Sequence, residues 1–357
     1  MARRRSDAML DALAAVAPGK PLREGFDRIL QSGMGALVVI GDGPEVLSIC
    51  SGGFLLDAAF SPQRLSELAK MDGAIVLAAD ASRIARANVH LVPSPNVPTS
   101  ETGTRHRTAE RVARSINVPV ISVSEDMSII AVYIGDEKHQ LVPIPRLLDR
   151  ANQAMKTLER YKERLVDVSN SLSALEVEDL VTVRDVVTLL QRTEMVLRIA
   201  GEIESDIVEL GVDGRLFRLQ LEEALAGVED ERRLVVLDYL HEENDWHLAE
   251  AMSGLELLET EMLLDLKAVA EVLHLPEGGT DLDGAVQPKG YRMLSRIPRL
   301  PETVIERIVA RFGTLDKVLR ATEHDLDAVE GVGEHRASAI KEGLGRLAES
   351  SILDHYS

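Results

Sequence analysis

The chain changes texture at Pro145, and that change bounds what it can fold into. From Gly35 to about Pro143, short apolar runs are separated by turns and helical stretches: G-A-L-V-V-I-G, E-V-L-S-I-C, G-A-I-V-L-A-A, V-P-V-I-S-V-S and S-I-I-A-V-Y-I-G. Short apolar runs bounded by turn signals predict strands. Between them, S-P-Q-R-L-S-E-L-A-K predicts a helix with Ser61 as N-cap and Pro62 at its first position. A further helix is predicted from Thr104, acting as cap, to about Ile116. Strands buried by helices make an α/β domain, and G-D-G-P at Gly41 to Pro44, read as a hairpin turn, predicts a mixed central sheet. Beyond Pro145, about 130 residues rich in Leu, Glu, Arg and Val at helical period, nearly free of Pro and Gly, predict an all-α helical spine.

At 357 residues, 45% hydrophobic and 28% charged, the chain can bury sizeable cores and accommodate two or three domains. Its net charge of -19 argues against a surface that coats nucleic acid indiscriminately. The charge is unevenly placed. Between Leu221 and Pro288 eighteen Asp and Glu face only Arg232, Arg233 and Lys267, a balance of -15. That segment is either a solvated helical face or a spacer that repels nucleic acid from the wrong surface. The stretch from Pro276 to Gly290 is rich in Gly, Pro and Asp and reads as a linker. From Lys289 to Arg320 the sign flips, with eight Lys and Arg against Glu302, Glu306 and Asp316, a balance of +5. The expected domains are therefore residues 1–145, 146–288 and 289–357.

One cysteine, Cys50, excludes an intrachain disulfide and a cysteine zinc cluster, suits a reducing cytosol, and reads as a small buried apolar residue. The basic head M-A-R-R-R imitates an export signal, but Asp7 and Asp11 interrupt the run behind it. Met9, Leu10, Leu13 and Val16 recur there at helical spacing, predicting an amphipathic first helix. No run reaches the roughly 18 uncharged apolar residues a membrane span needs, so a cytoplasmic protein without a membrane partner is expected.

The tail holds two copies of one pattern, I-P-R-L-P-E-T-V-I-E-R-I-V-A-R-F-G and D-L-D-A-V-E-G-V-G-E-H-R-A-S-A-I-K-E-G-L. Each pairs a short helix and a tight hairpin with a second helix, whose apolar positions are Val304, Ile308 and Phe312 in one and Ala337 and Ile340 in the other. In the second, Gly331 and Gly333 bracket Val332, so backbone N–H groups at a helix start can approach a phosphate closely. This looks like a tandem helix-hairpin-helix domain, which grips DNA backbone without reading sequence; the alternative is a four-helix protein–protein module. The expected DNA contacts are Gly331, Val332, Gly333, Arg336 and Lys341, with Arg299 in the R-L-P hairpin of the first copy.

The chemistry lies in T-G-T-R-H-R-T, Thr102 to Thr108. A helix N-terminus carries partial positive charge, so Arg105, His106 and Arg107 in a first turn are each unfavourable by about 0.3–1 kcal/mol. A polyphosphate docked there reverses the sign. K-M-D-G-A-I-V-L places Asp72 and Gly73 at a strand entrance, where a carboxylate can hold a metal or take a proton. Ser124 and Glu125 end another strand and supply a further polar wall. His90, His139, His241 and His247 have no partner at metal-ligand spacing and read as structural.

K-x-D-G is also the lysine adenylation signature of DNA ligases, which would make Lys70 a nucleophile. That motif continues to Arg, whereas position 75 is Ile, and a single cysteine cannot build the zinc finger of the ligase class with helix-hairpin-helix repeats. D-G-A, Asp72 to Ala74, followed by G-T-R-H-R-T, Gly103 to Thr108, then an acidic spine and a terminal tandem hairpin module, resembles the bacterial DNA integrity scanning family of diadenylate cyclases. The resemblance covers essentially the whole chain. It implies condensation of two ATP into cyclic di-AMP with Mg²⁺ or Mn²⁺. Asp72 would activate the ribose 3'-hydroxyl and help hold the metal; Gly73, Ala74 and the main chain near Leu91 would line the nucleotide pocket. Thr104, Arg105, His106, Arg107 and Thr108 would bind phosphates, with Ser124 close by. It further implies a homo-octamer with active sites between facing subunits, control by branched DNA such as Holliday junctions, and association with the nucleoid. The third reading is a non-catalytic junction-binding scaffold.

Overall fold

The computed structural model describes residues 5–125, 128–240, 248–274 and 281–355. The chain forms two compact units, one of Met1–Met155 with Gly201–Leu221 and one of Lys156–Ala200 with Glu222–Ser357.

The first unit is built on an eight-stranded sheet: β1 (Ala36–Ile40), β2 (Cys50–Ser51), β3 (Phe54–Ala59), β4 (Ala74–Leu77), β5 (Arg83–Leu91), β6 (Val120–Ser124), β7 (Ile129–Ile134) and β8 (Glu137–Gln140). The order is β2-β5-β4-β1-β6-β7-β8, with β3 pairing β5 as well. β1 and β4 are parallel and the other pairs antiparallel, so the sheet is mixed as expected. Alternation along the strands feeds two cores. Val38, Ile40, Ile75, Ile121 and Val132 pack with α1 (Asp7–Ala15), α2 (Pro21–Gln31) and, through Leu65, a later helix. Leu37, Val39, Val76, Val120 and Tyr133 pack on the opposite face with Val46 of α3 (Pro44–Ser48). That later helix is α4 (Pro62–Leu68), and α5 (Thr104–Ile116) joins the second core through Ala109, Val112 and Ala113.

Met9, Leu13 and Val16 are buried, as the helical spacing required. Ser61 caps α4, its hydroxyl accepting from the Arg64 amide, with Pro62 at the first position. Three expectations fail locally. Asp42-Gly43-Pro44 opens α3 rather than a hairpin, because Pro44 is preset for a first helical turn, and E-V-L-S-I-C is helical up to Ser48. Thr104 is the first helical residue, not the cap; Gly103 occupies the cap at φ 82° without a side-chain hydrogen bond.

The spine is α6 (Ile144–Glu178) and α7 (Val183–Leu210), followed by α8 (Arg215–Leu225) and α9 (Val228–Tyr239). Then come α10 (Leu248–Leu257), α11 (Thr260–Leu263), α12 (Leu266–Val272), α13 (Tyr291–Ser295), α14 (Glu302–Phe312), α15 (Leu315–Arg320), α16 (Glu323–Asp327) and α17 (Glu334–His355). Of the expected linker, Pro276 to Thr280 lies outside the described residues, as do His241 and His247; the rest is tied down. Val183 and Arg184 donate backbone bonds to Gly284 and Leu282, and Val286 donates to Val181. The helices from Tyr291 onward share one core in which Val304, Ile308, Ala337 and Ile340 are buried, with Phe312 packed at its margin.

Candidate nucleotide site

Strand registers bring several sequence candidates to one end of the sheet. Ala36 at the start of β1 pairs with Val123 near the end of β6, and Ala74 at the start of β4 pairs with Val89. Asp72-Gly73, the end of β5 at Leu91, and Ser124 therefore gather at the same end of the sheet. Ala74 and Leu91 are buried in the core that the sheet shares with α5.

The first turn of α5 joins them through Arg105, whose Nη2 donates to Asp72 Oδ1 at 3.2 Å. The Asp72 side chain is otherwise in full contact with solvent. Two glycines make this approach possible. A Cβ on Gly35 would lie 2.2 Å from Arg105 Nη1 and 3.1 Å from the Val123 carbonyl oxygen. A Cβ on Gly73 would lie 2.3 Å from the backbone carbon of Asn88, which bulges out of β5 at φ 52°. The register of β4 against β5 slips at this bulge.

The cations expected side by side are sorted by environment. Arg107 is exposed and makes no side-chain bond among the described residues. Thr108 donates its hydroxyl to the Thr104 carbonyl at 2.9 Å. His106 turns inward, its Nδ1 2.8 Å from the Tyr133 hydroxyl of β7, while its Nε2 is buried without a partner among the described residues. Desolvation lowers the His106 pKa; Glu101 opposes this, and Lys138 and Arg105 reinforce it.

The loop before α5 is held from beneath by Glu110, 8% exposed on the inner side of the helix. It accepts from the Thr99 hydroxyl, the Ser100 amide at 3.0 Å and the Glu101 amide at 3.3 Å, and pairs with Arg114 at 3.2 Å. Burial works to raise the Glu110 pKa, but these hydrogen bonds and the Arg114 charge prevail and hold it below the ordinary value. Sequence reasoning missed Gly35, Asn88, Glu101, Glu110 and Tyr133. One signal was available: Glu110 interrupts the apolar face shared by Ala109, Val112 and Ala113.

Lys70 is exposed and pairs with Glu67 at 2.7 Å. His139 bonds Glu209 at 2.9 Å, so its reading as structural stands. Among the described residues no group of three or more His, Cys, Asp or Glu is arranged to hold a metal, and no helix is long and apolar enough to cross a membrane.

In the second unit, the Gly331 backbone has φ 90°, Val332 is buried, and Arg336 donates to the Gly331 carbonyl at 2.6 Å. Lys341 donates to the Leu319 carbonyl at 2.7 Å, and Arg299 stands in the left-handed region at φ 63°. The charge of +5 does not translate into a surface of that strength. Arg292 is fully buried against Glu176 at 2.9 Å and Glu231 at 3.1 Å.

Known proteins bear on this site. The family described as DisA bacterial checkpoint controller nucleotide-binding (DAC) matches residues 23–138, and the DisA bacterial checkpoint controller linker region matches residues 141–282. A protein named DNA integrity scanning protein DisA from Parafrankia sp. (strain EAN1pec) is 56% identical over 351 residues, 98% of either chain. The chain belongs to the DNA integrity scanning family. A second DNA integrity scanning protein DisA, from Acidothermus cellulolyticus, is 56% identical over 348 residues, 96% of this chain and 94% of its own. The structure of DacA from Staphylococcus aureus aligns with 39% of this chain and 91% of its own at 21% identity and a TM-score of 0.29. The DAC domain makes this member of the DNA integrity scanning family an enzyme, a nucleotidyltransferase of the diadenylate cyclase class that works with a divalent metal.

Proposed function

We propose that the protein condenses two ATP molecules into cyclic di-AMP and two pyrophosphates at the end of the sheet where Arg105 meets Asp72. The Asp72–Arg105 pair at a helix start carries this reading: a carboxylate able to take a proton stands 3.2 Å from a cation able to hold phosphate. The 3'-oxygen of one ATP attacks the α-phosphorus of the other, its proton passes to Asp72, and the bond to pyrophosphate breaks. The same exchange in the reverse sense closes the ring. Arg105, Arg107 and the amides of the first turn of α5, with Thr104, Thr108 and Ser124 nearby, stabilise charge that grows on the phosphoryl oxygens and leaving group. Gly73, Ala74 and the Leu91 main chain wall the nucleotide.

One exposed carboxylate, shared with substrate phosphates, suits Mg²⁺ or Mn²⁺, which typically take one or two protein carboxylates and fill their remaining positions with phosphate and water. Asp72 is the residue that would hold the ion, whose charge neutralises the triphosphate. A two-fold product needs two half-sites face to face, so the active form is at least a dimer, here proposed as the homo-octamer. The reading keeps residues 1–145 as the cyclase, 146–288 as the spine and 289–357 as a tandem helix-hairpin-helix that binds branched DNA, such as a Holliday junction, and modulates synthesis. Such a protein works in the cytoplasm on the nucleoid. The ligase alternative lacks support, since the Lys70 amine is held by Glu67.

Incubation with radiolabelled ATP and Mn²⁺ tests the proposal. Cyclic dinucleotide should accumulate, and Asp72→Asn should abolish it while assembly and junction binding persist. A lysine–AMP adduct, or no product at all, would overturn it.

A further inference from the structure

The middle residue of Arg105-His106-Arg107 behaves unlike its neighbours. Tyr133 lies 1% exposed, its hydroxyl 2.8 Å from His106 Nδ1 and facing the charge of Glu101. Glu101 pairs with the Lys138 amine of β8. An ionised carboxylate only accepts, so the single hydroxyl hydrogen of Tyr133 points to Glu101. The phenol keeps that hydrogen: burial first, then the Glu101 and Glu110 charges, push its pKa well above the usual range. Tyr133 can therefore only accept from His106, and Nδ1 must carry the hydrogen. The opposite neutral tautomer would ask one hydroxyl hydrogen to serve both neighbours.

The charged groups facing His106 are Glu101 from the preceding loop, Lys138 from β8 and Arg105 from its own helix. Glu101 favours a second proton on the ring, yet desolvation and the two cations disfavour it. Nε2, already removed from solvent, is left as an acceptor. An acceptor cannot ligate a phosphate oxygen.

Resting on the cyclase reading, we infer that His106 is a positioning residue rather than a phosphate ligand. Glu101 and Tyr133 hold it as the Nδ1–H tautomer, and it pins the first turn of α5 to β7 so that Arg105 meets Asp72. Lys138 closes the arrangement from β8, its amine 5.8 Å from the centre of the Tyr133 ring.

The test uses the geometric likeness of amide side chains to imidazole nitrogens. The amide nitrogen of Asn falls near the place of Nδ1, that of Gln near Nε2. Binding of a non-hydrolysable ATP analogue to the full-length protein is measured for the wild type, His106→Asn, His106→Gln and Tyr133→Phe between pH 6.5 and 8.5. His106→Asn should bind roughly tenfold more tightly than His106→Gln, the scale of one buried donor left without a partner. Tyr133→Phe should weaken binding about as much as His106→Gln, and combining those two should add little. The ratio of wild-type to His106→Asn affinity should stay flat as pH rises from 7.5 to 8.5, since the lowered His106 pKa keeps the ring neutral there and Asn does not titrate. Stronger binding by Gln than by Asn, or a wild-type advantage that fades as pH rises, would mark His106 as a cationic ligand and overturn the inference while leaving the nucleotide reading intact. Failure of the wild type to bind the analogue would overturn both.

Discussion

Gly35 is the residue on which the candidate site turns most sharply. Its missing side chain lets the Arg105 guanidinium cross the start of β1, and a methyl there would stand 2.2 Å from Nη1. The obstacle is the far end of a flexible side chain, so Gly35→Ala should be accommodated by displacing Arg105 rather than by distorting the sheet. An Arg105 pushed aside loses its charge-assisted bond to a bound phosphate, worth about 1.5–3 kcal/mol, so cyclic di-AMP synthesis should fall by roughly 10- to 150-fold. Thermal unfolding should shift little. At Gly73 the obstacle is the backbone of Asn88, and Gly73→Ala should lower both synthesis and melting temperature. Equal losses of stability in the two variants would refute the distinction. Neither glycine shows its task in a single sequence, where Gly35 reads as the punctuation before a strand. Arg105 was legible because a cation in a first turn is unfavourable for a stated physical reason, whereas Asp72, in a D-G pair common in turns, stood out only beside G-T-R-H-R-T.

At the scale of elements, what was legible followed hydrophobic periodicity. The four long apolar runs became β1, β4, β6 and β7, and the long Leu-rich pattern became α6 and α7. What was missed depended on local chemistry or on distant partners. Pro44 made a helix of an apparent turn, and the charged, alternating sequence of β5 gave no continuous apolar run to notice. The loop from Thr99 to Glu101 was unreadable for another reason: its anchor, Glu110, lies on the following helix. The Glu110 pKa is depressed in the folded protein, so its contribution is fully present above the unfolded value of 4.5 and is lost as pH falls below that through the folded pKa. Glu110→Gln should therefore remove this acid-sensitive component. It leaves one amide hydrogen facing the backbone donors and should cost about 1–3 kcal/mol at pH 7. Urea unfolding at pH 7 and at pH 4 measures both effects; an undiminished acid loss in the variant would rule out Glu110 as its source.

Across the molecule, the acidic spine and the basic tail meet inside the second unit rather than only at its surface. Arg292, one of the eight bases behind the +5 balance of Lys289 to Arg320, donates to Glu176, Glu231, Ser173 and the Ser169 carbonyl without exposure to solvent. Beside it, Asp238 of α9 accepts from the amides of Gly290, Tyr291 and Arg292, and Tyr239 donates to Glu176. Desolvation and the Glu176 charge push the Asp238 pKa up to about 7 against the pull of those amides. The segment that opens the tail is thus part of the fold of the spine, and the cluster is held by charge balance. Removing only the cation leaves two carboxylates facing each other in a dry interior, which typically costs about 3–5 kcal/mol, whereas a buried pair replaced as a unit by groups of similar shape costs far less. Arg292→Met should therefore lower the melting temperature strongly, and Arg292→Met combined with Glu176→Gln should recover much of the loss. Raising pH from 5 to 8 should cost the wild type stability, because Asp238, whose folded pKa lies above its unfolded value, adds stability at low pH that disappears as pH rises through about 7; it should cost the single variant more, since no guanidinium there opposes the charges of Glu176 and Asp238. Calorimetric scans of the three proteins at those two pH values decide the matter: a double variant no more stable than Arg292→Met would show that the packing of the arginine side chain, and not its charge, holds the tail to the spine.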